Sequence, residues 1–301
     1  MTESMTEQHF GYVALIGRPN VGKSTLINAL IGEDVAIVTH KPQTTRHSIR
    51  GWITEDRGQA VFVDTPGLHS EKSHALNQRL NRVATASLFD VDVIVMVVDA
   101  NRWTPDDERV LAKLSRFTNA KKILAFNKID QLGDRSVLLE KTKELMGQCA
   151  FDAVVYFSAK TKRGINTLLD EVFAVLPVGA PVYPADQFTD RSVRFLVAEI
   201  IREQLMLQLH QEIPYGLTVV IEAYDDSPKR AVISALIVVG EDRHKGMVIG
   251  QKGSVLKRVG TQARLKIEQL VDKPVHLDLH VKTRAGWMDD ERELDQLGYA
   301  Q

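Results

Sequence analysis

The sequence predicts an α/β protein in which a mostly parallel, doubly wound sheet is followed by a smaller α+β domain. Three observations carry this. Apolar runs at 12–16, 60–64, 91–99, 123–127 and 154–157 alternate with segments of helical period such as 105–117, and such alternation implies a parallel sheet covered on both faces. A glycine-rich turn joins the first run to a helix-like stretch at 25–30. After the proline-bearing stretch 177–184 the order changes to α-β-β-α-α-β: a helix at 192–210, strands at 216–223 and 231–239 around the turn Asp225-Asp226-Ser227-Pro228, two helices flanking 250–253, and a last strand at 274–282. The expected division is a first domain at 10–177, a linker at 178–190, a second domain at 191–284 and an acidic tail at 285–301.

At 301 residues, 44% of them hydrophobic, the chain can supply a core to each of two domains. A polar N-terminus without signal-peptide order, and no run of 18 apolar residues, lead us to expect a cytoplasmic protein. Cys149 is the only cysteine, which excludes an intramolecular disulfide and any cysteine-based zinc site. The net charge of −1 argues against a nucleic-acid partner, but the charge is sorted by region. Arg243, Lys245, Lys252, Lys257, Arg258, Arg264 and Lys266 form a block without an acidic residue, whereas 287–301 holds Asp289, Asp290, Glu291, Glu293 and Asp295 against Arg292.

The turn after the first strand reads Gly17-Arg18-Pro19-Asn20-Val21-Gly22-Lys23-Ser24, with Thr25 opening the helix. This is the spacing of a P-loop. Its backbone N–H groups cradle phosphate oxygens, Lys23 neutralises the terminal phosphates and the Ser24 hydroxyl sits on Mg²⁺. Asp64-Thr65-Pro66-Gly67 follows a buried strand, so Asp64 can hold Mg²⁺ through water while the Gly67 N–H meets the γ-phosphate. Asn127-Lys128-Ile129-Asp130 ends another strand. A buried Asp130 carboxylate there can accept from guanine N1–H and its exocyclic amine, a donor pair adenine lacks, with Asn127 bracing the loop and Lys128 along the base. At Ser158-Ala159-Lys160 the Ala159 N–H can meet guanine O6.

With the segment Gln43-Thr44-Thr45-Arg46, these stretches resemble the five guanine-nucleotide motifs of the translation-factor-related GTPases. The resemblance implies a P-loop GTPase that turns GTP into GDP and phosphate, with Mg²⁺ held by Ser24, Asp64 and a switch threonine. Thr45 is our choice for that threonine, with Thr44 adjacent to it as the alternative. Where many such enzymes carry a water-orienting glutamine, this chain has Leu68. The catalytic set is therefore Lys23, Thr45, Gly67 and the metal. Asn20 resembles an asparagine that related GTPases use for K⁺; hydrogen bonding to the loop backbone is the other reading. His69 reads as a solvated loop histidine or a general base.

In the second domain, Ile249-Gly250-Gln251-Lys252-Gly253 opens the basic helix that carries Lys257, Arg258 and Arg264. A Gly-x-x-Gly turn between helices lets a nucleic-acid backbone approach closely, as in KH domains, and the α-β-β-α-α-β order resembles the type II form. The pairing of the two domains, together with Arg102-Trp103-Thr104-Pro105-Asp106-Asp107 and Gly286-Trp287-Met288-Asp289-Asp290-Glu291-Arg292, resembles the bacterial Era family of GTPases. That resemblance implies binding to the 16S rRNA 3′ end, action in 30S subunit assembly and rRNA maturation, peripheral contact with the cell inner membrane, and a monomer. The rival readings are a GTPase acting on tRNA or protein targeting, and an RNA chaperone that keeps GTP as a structural ligand.

Overall fold

The structure is a computed structural model that describes residues 7–39, 41, 44–64, 74–86, 90–114, 117, 119–134, 136–209 and 213–299. It divides into two compact units, Met1–Ala36 with Thr45–His69 and Leu80–Asp190, and Ile37–Thr44 with Ser70–Arg79 and Arg191–Gln301.

In the first unit the strands are β1 (His9–Ile16), β2 (Ile49–Glu55), β3 (Gly58–Asp64), β4 (Val93–Asp99), β5 (Lys121–Asn127) and β6 (Ala153–Tyr156). They form one sheet in the order β2-β3-β1-β4-β5-β6, parallel throughout except for the antiparallel β2–β3 pair. Strands β3 and β4 are almost wholly buried, as expected of a parallel sheet with both faces covered. The helices are α1 (Lys23–Ile31), α2 (Ala75–Ala86, shared between the units), α3 (Pro105–Leu114), α4 (Ser136–Gln148) and α5 (Ile165–Val175). The apolar runs do not reveal β2, because its sequence Ile-Arg-Gly-Trp-Ile-Thr-Glu mixes charge with apolar residues, as an edge strand tolerates.

The expected linker is held to the first unit along its length. Val178 and Thr189 bridge to His9 and Gly51, the Gln59 side chain accepts from Val182 and Tyr183 N–H, and Tyr183 stacks on Trp52 at 4.5 Å.

The second unit contains α6 (Val193–Gln208), β7 (Leu217–Asp226), β8 (Ala231–Val239), α7 (Asp242–Ile249), α8 (Ser254–Val271), β9 (Val275–Thr283) and α9 (Glu291–Gln296). Strand β8 lies between antiparallel β7 and parallel β9. The apolar stripes of α6 and α8, with Val197, Ile201, Val259, Ala263 and Ile267 buried, close one face of this sheet. The strand at β7 runs through Asp226, so the expected turn begins later, at Ser227.

The expected acidic tail is folded. Trp287, Leu294, Leu297 and Tyr299 are buried, Trp287 lies 6.0 Å from Tyr299 ring to ring, and its indole N–H donates to the Gly216 carbonyl. Its carboxylates serve the other segments of this unit: Asp289 accepts from the Ala75 N–H at the start of α2, and Arg79 pairs with Glu291 at 2.8 Å and Asp295 at 2.9 Å. We expect Trp287→Ala to lower the stability of this unit by about 3–5 kcal/mol. Urea unfolding followed by circular dichroism checks this; a change under about 1 kcal/mol would contradict the packing assigned to Trp287.

Candidate nucleotide and RNA sites

The carboxyl ends of β1, β3, β5 and β6 carry the four nucleotide motifs that follow strands, as parallel topology requires. Two glycines shape the first loop. A Cβ on Gly17, at φ 153°, would stand 2.4 Å from the Val97 carbonyl oxygen, and one on Gly22, at φ 102°, would stand 2.3 Å from Asn127 Nδ2. Only glycine takes both the close approach and the positive φ.

Lys23 is buried and donates to the Gly17 and Arg18 carbonyls at 2.8 and 3.0 Å, so the ammonium is folded back over the loop. Burial pushes its pKa down to about 8, against the opposing pull of Asp64. Ser24 Oγ lies 3.0 Å from Thr45 Oγ1, and both hydroxyls reach Asp64 Oδ2, at 3.0 and 3.3 Å. Asp64 is fully buried and its other oxygen, Oδ1, has no hydrogen-bond partner among the described residues. Burial raises its pKa while Lys23, Ser24 and Thr45 work to lower it. Two hydroxyls beside a buried carboxylate with an unpaired oxygen suit a hard cation such as Mg²⁺. The Thr44 hydroxyl takes a different direction, to Thr39 Oγ1 and the Lys41 carbonyl, both at 2.6 Å.

Asn127 is the junction of the base-side loops. Its Nδ2 donates to the Val21 carbonyl at 2.8 Å, and its Oδ1 accepts from the Lys128 N–H at 2.7 Å and the Ala159 N–H at 2.9 Å. Ala159, a buried residue, thus donates to Asn127, where the sequence suggested guanine O6. Ser158 is buried with its Oγ accepting from Thr161 N–H, while Lys160 is exposed. Asp130, expected to be buried, is exposed on a short 3-10 turn opened by Lys128 at φ 67°; only Ile129 of that turn points into the core. Lys128 reaches the Asn20 carbonyl at 2.9 Å and Asp99 at 2.7 Å. Burial opposes it, but the Lys128 ammonium and Asn101 hold the Asp99 carboxyl below the usual range.

Sequence reasoning missed the far side of the P-loop. Arg18 Nε donates to buried Asp107 at 2.9 Å, and Asp107 also accepts from Thr104 N–H and Oγ at the start of α3. The Asp106-Asp107 pair was on view, but its partner lies 89 residues away. Asn20 adopts φ 64° with an exposed side chain, and Pro19 and Thr25 are partly buried. Thr65, Pro66, Gly67, Leu68, His69 and Gln43 lie outside the described residues.

In the second unit, α7 ends at Gly250 (φ 72°), where a Cβ would stand 2.5 Å from Val255 Cγ2, and Lys252 and Gly253 both take positive φ before α8 starts. Gln251, Lys252, Lys257 and Arg258 are exposed, and Ile249, Gly253 and Arg264 are partly exposed. A cleft of about 420 Å³ is lined by Gly253, Leu256, Lys257, Gly260, Arg264 and Leu279. Arg264 pairs with Glu268 at 2.7 Å, Arg258 reaches Gln208 at 3.3 Å and Lys266 pairs with Glu203 at 2.6 Å, so part of the basic block is spoken for within the unit. Leu279 on β9 joins the cleft through strand register, which the charge pattern alone does not show.

A family model described as a 50S ribosome-binding GTPase matches residues 12–128, and one described as a KH domain matches residues 212–288. A GTPase Era of Bordetella avium is 46% identical over 297 residues, covering 98% of this chain and 100% of that protein. The GTPase Era of Pseudomonas savastanoi pv. phaseolicola is 45% identical over 294 residues, 98% of each. Two solved structures match at a TM-score of 0.93 and 34% identity, covering 98% of this chain and 100% of each: a variant of Aquifex aeolicus Era bound to GDP·AlF4⁻, and Era in complex with MgGDPNP and nucleotides 1506–1542 of 16S ribosomal RNA. The molecule is accordingly a P-loop GTPase domain followed by a KH domain. Similarity that runs through both domains together, rather than through the GTPase half alone, makes the chain a member of the Era family of GTPases.

Proposed function

We propose that this GTPase binds 16S rRNA near its 3′ end through the Gly-x-x-Gly cleft, and that GTP hydrolysis governs its action in 30S subunit assembly and rRNA maturation. The observation that carries the reading is the exposed, glycine-opened basic helix beside a cleft walled by Leu256 and Leu279, in the same chain as a P-loop whose Ser24 meets Asp64. Lys252 and Lys257 suit phosphates, and Leu256 and Leu279 suit unpaired bases. The relative solved with a 16S RNA fragment supports the small-subunit assignment; the family model described by the 50S subunit spans the GTPase domain alone.

On the nucleotide side, the backbone of 17–25 wraps the phosphates and Lys23, its charge costly while buried, regains full protonation beside them. Ser24, Thr45 and Asp64 would hold Mg²⁺, which when bound neutralises charge on the β- and γ-phosphate oxygens. Gly67 offers its N–H to the γ-phosphate, and Asp130 takes the guanine edge with Asn127, Lys128, Ser158 and Ala159 holding its loop. Asn20, on the exposed bend of the P-loop, faces solvent where K⁺ can sit against the phosphates. We assign the protein to the cytoplasm as a monomer with peripheral contact to the inner membrane; no helix among the described residues is long and apolar enough to cross a membrane.

Asp130→Asn is expected to weaken GTP binding by about 10²-fold or more while improving xanthine-nucleotide binding; fluorescent-nucleotide titration tests it, and unchanged GTP affinity would sink the base-recognition assignment. Steady-state GTP hydrolysis should rise with an RNA ending in the small-subunit 3′ sequence, more in potassium than in sodium, and Gly253→Asp should remove the RNA response without altering the RNA-free rate. A wild-type rate indifferent to bound RNA would favour the scaffold that keeps GTP as a structural ligand.

A further inference from the structure

Arg18 stands inside the P-loop, yet its guanidinium is committed to the connection between β4 and α3. Nε donates to Asp107 Oδ2 at 2.9 Å, the terminal nitrogens donate to the Pro19 and Arg102 carbonyls, both at 3.3 Å, and only 14% of the side chain is exposed. Asp99 stands 3.8 Å from Arg18 and is taken at 2.7 Å by Lys128, so Asp107 is the close anionic partner of Arg18. The main chain of the same arginine belongs to the site, because its carbonyl, with that of Gly17, accepts from Lys23 Nζ. Fixing the Arg18 side chain therefore fixes the turn around which Lys23 and the loop N–H groups are arranged.

The first turn of α3 holds three acids, Asp106, Asp107 and Glu108, and of these only Asp107 is buried. Its Oδ2 also accepts from the Thr104 N–H at 2.9 Å and from Thr104 Oγ1 at 2.8 Å, while Oδ1 has no hydrogen-bond partner among the described residues. This reach back to the residue before the helix is one half of a capping box, a task that a neutral amide performs as well as a carboxylate. The cap therefore does not account for the charge. A carboxylate with no exposed surface is costly unless a cation answers it, and Arg18 is the cation paired with this one.

We propose that Asp107 is a positioning residue for nucleotide binding: by holding the Arg18 guanidinium it sets the P-loop backbone that receives the phosphates, and its negative charge, rather than its cap on α3, is what the loop requires. This rests on the reading that residues 17–25 wrap the phosphates. Asp107 acts only through Arg18 and touches no phosphate itself. The loop N–H groups serve the α- and β-phosphates, which GDP and GTP share. What Asp107 contributes is thus the same in the ground state and the transition state, and it shows in affinity rather than in turnover.

The test uses the full chain without RNA, and the readouts are GDP affinity by fluorescent-nucleotide titration, kcat and KM for GTP, and thermal unfolding by circular dichroism. Asp107→Asn keeps an acceptor for Thr104 but drops the charge that Arg18 answers. GDP affinity should fall and GTP KM should rise by the same factor, about tenfold, with kcat within about twofold of wild type. Arg18→Met leaves the cap on α3 in place, so it decides the matter even where Asp107→Asn unfolds the chain; it should weaken GDP and raise KM by that same factor, and the double variant no more than either single one. Thr104→Val removes one donor of the cap and serves as the structural control. It should lower the melting temperature while GDP affinity and KM stay within about twofold of wild type. Lys23→Ala checks the P-loop reading itself. Wild-type GDP affinity and KM in Asp107→Asn or Arg18→Met, beside a Lys23→Ala variant that binds nucleotide weakly, overturn the inference alone, as does a Thr104→Val variant that weakens GDP as much as Asp107→Asn. A Lys23→Ala variant that binds GDP and GTP like the wild type overturns the P-loop reading and this inference with it.

Discussion

The peptide bond between Thr44 and Thr45 is the constraint on which the functional account depends. Thr45 turns its hydroxyl to Ser24 and Asp64, in the first unit, and Thr44 turns its own to Thr39 and Lys41, in the second. Two adjacent residues are thus each hydrogen-bonded by side chain within a different unit. A γ-phosphate and its metal would draw on Thr45, and α6 draws on Thr44 and Val38 through Arg202 and Glu203. On the proposed function, the segment between them is where a change of nucleotide would be felt by the second unit.

The described loops on the nucleotide side are tied to one another by hydrogen bonds. Asn127 ties the P-loop, its own loop and the Ala159 loop together with one side chain, and Arg18 and Lys128 pin the P-loop to Asp107 and Asp99. A cradle held this way is formed before the ligand arrives, so binding energy is not consumed in ordering it.

Much of this was legible in the sequence, for a physical reason. Gly17, Gly22, Lys23, Ser24 and Asn127 meet local demands of backbone path, charge and hydrogen bonding, and local demands leave local signatures. The type II KH order and the Gly250 to Gly253 turn were readable in the same way. Interactions whose partners lie far apart in the chain were not: Arg18 with Asp107, Val38 with Glu203, and the Leu279 wall of the cleft through the β8–β9 register. Charge also misled. The residues from 287 onward read as an acidic tail because Trp287, Leu294 and Tyr299 are outnumbered by carboxylates, yet those three bury their side chains and the acids serve His74, Ala75 and Arg79. Exposed Asp130 shows the opposite error, a burial assumed from its role.

Hydrogen exchange of the full chain, read peptide by peptide in the GDP and GTP-analogue forms with and without the 3′-terminal RNA, separates a coupled switch from a scaffold. In a coupled switch RNA alters amide exchange across residues 37–46 as well as along α8, and more so in the GTP-analogue form. Protection confined to α7, α8 and β9, with 37–46 exchanging identically in all four states, would contradict it.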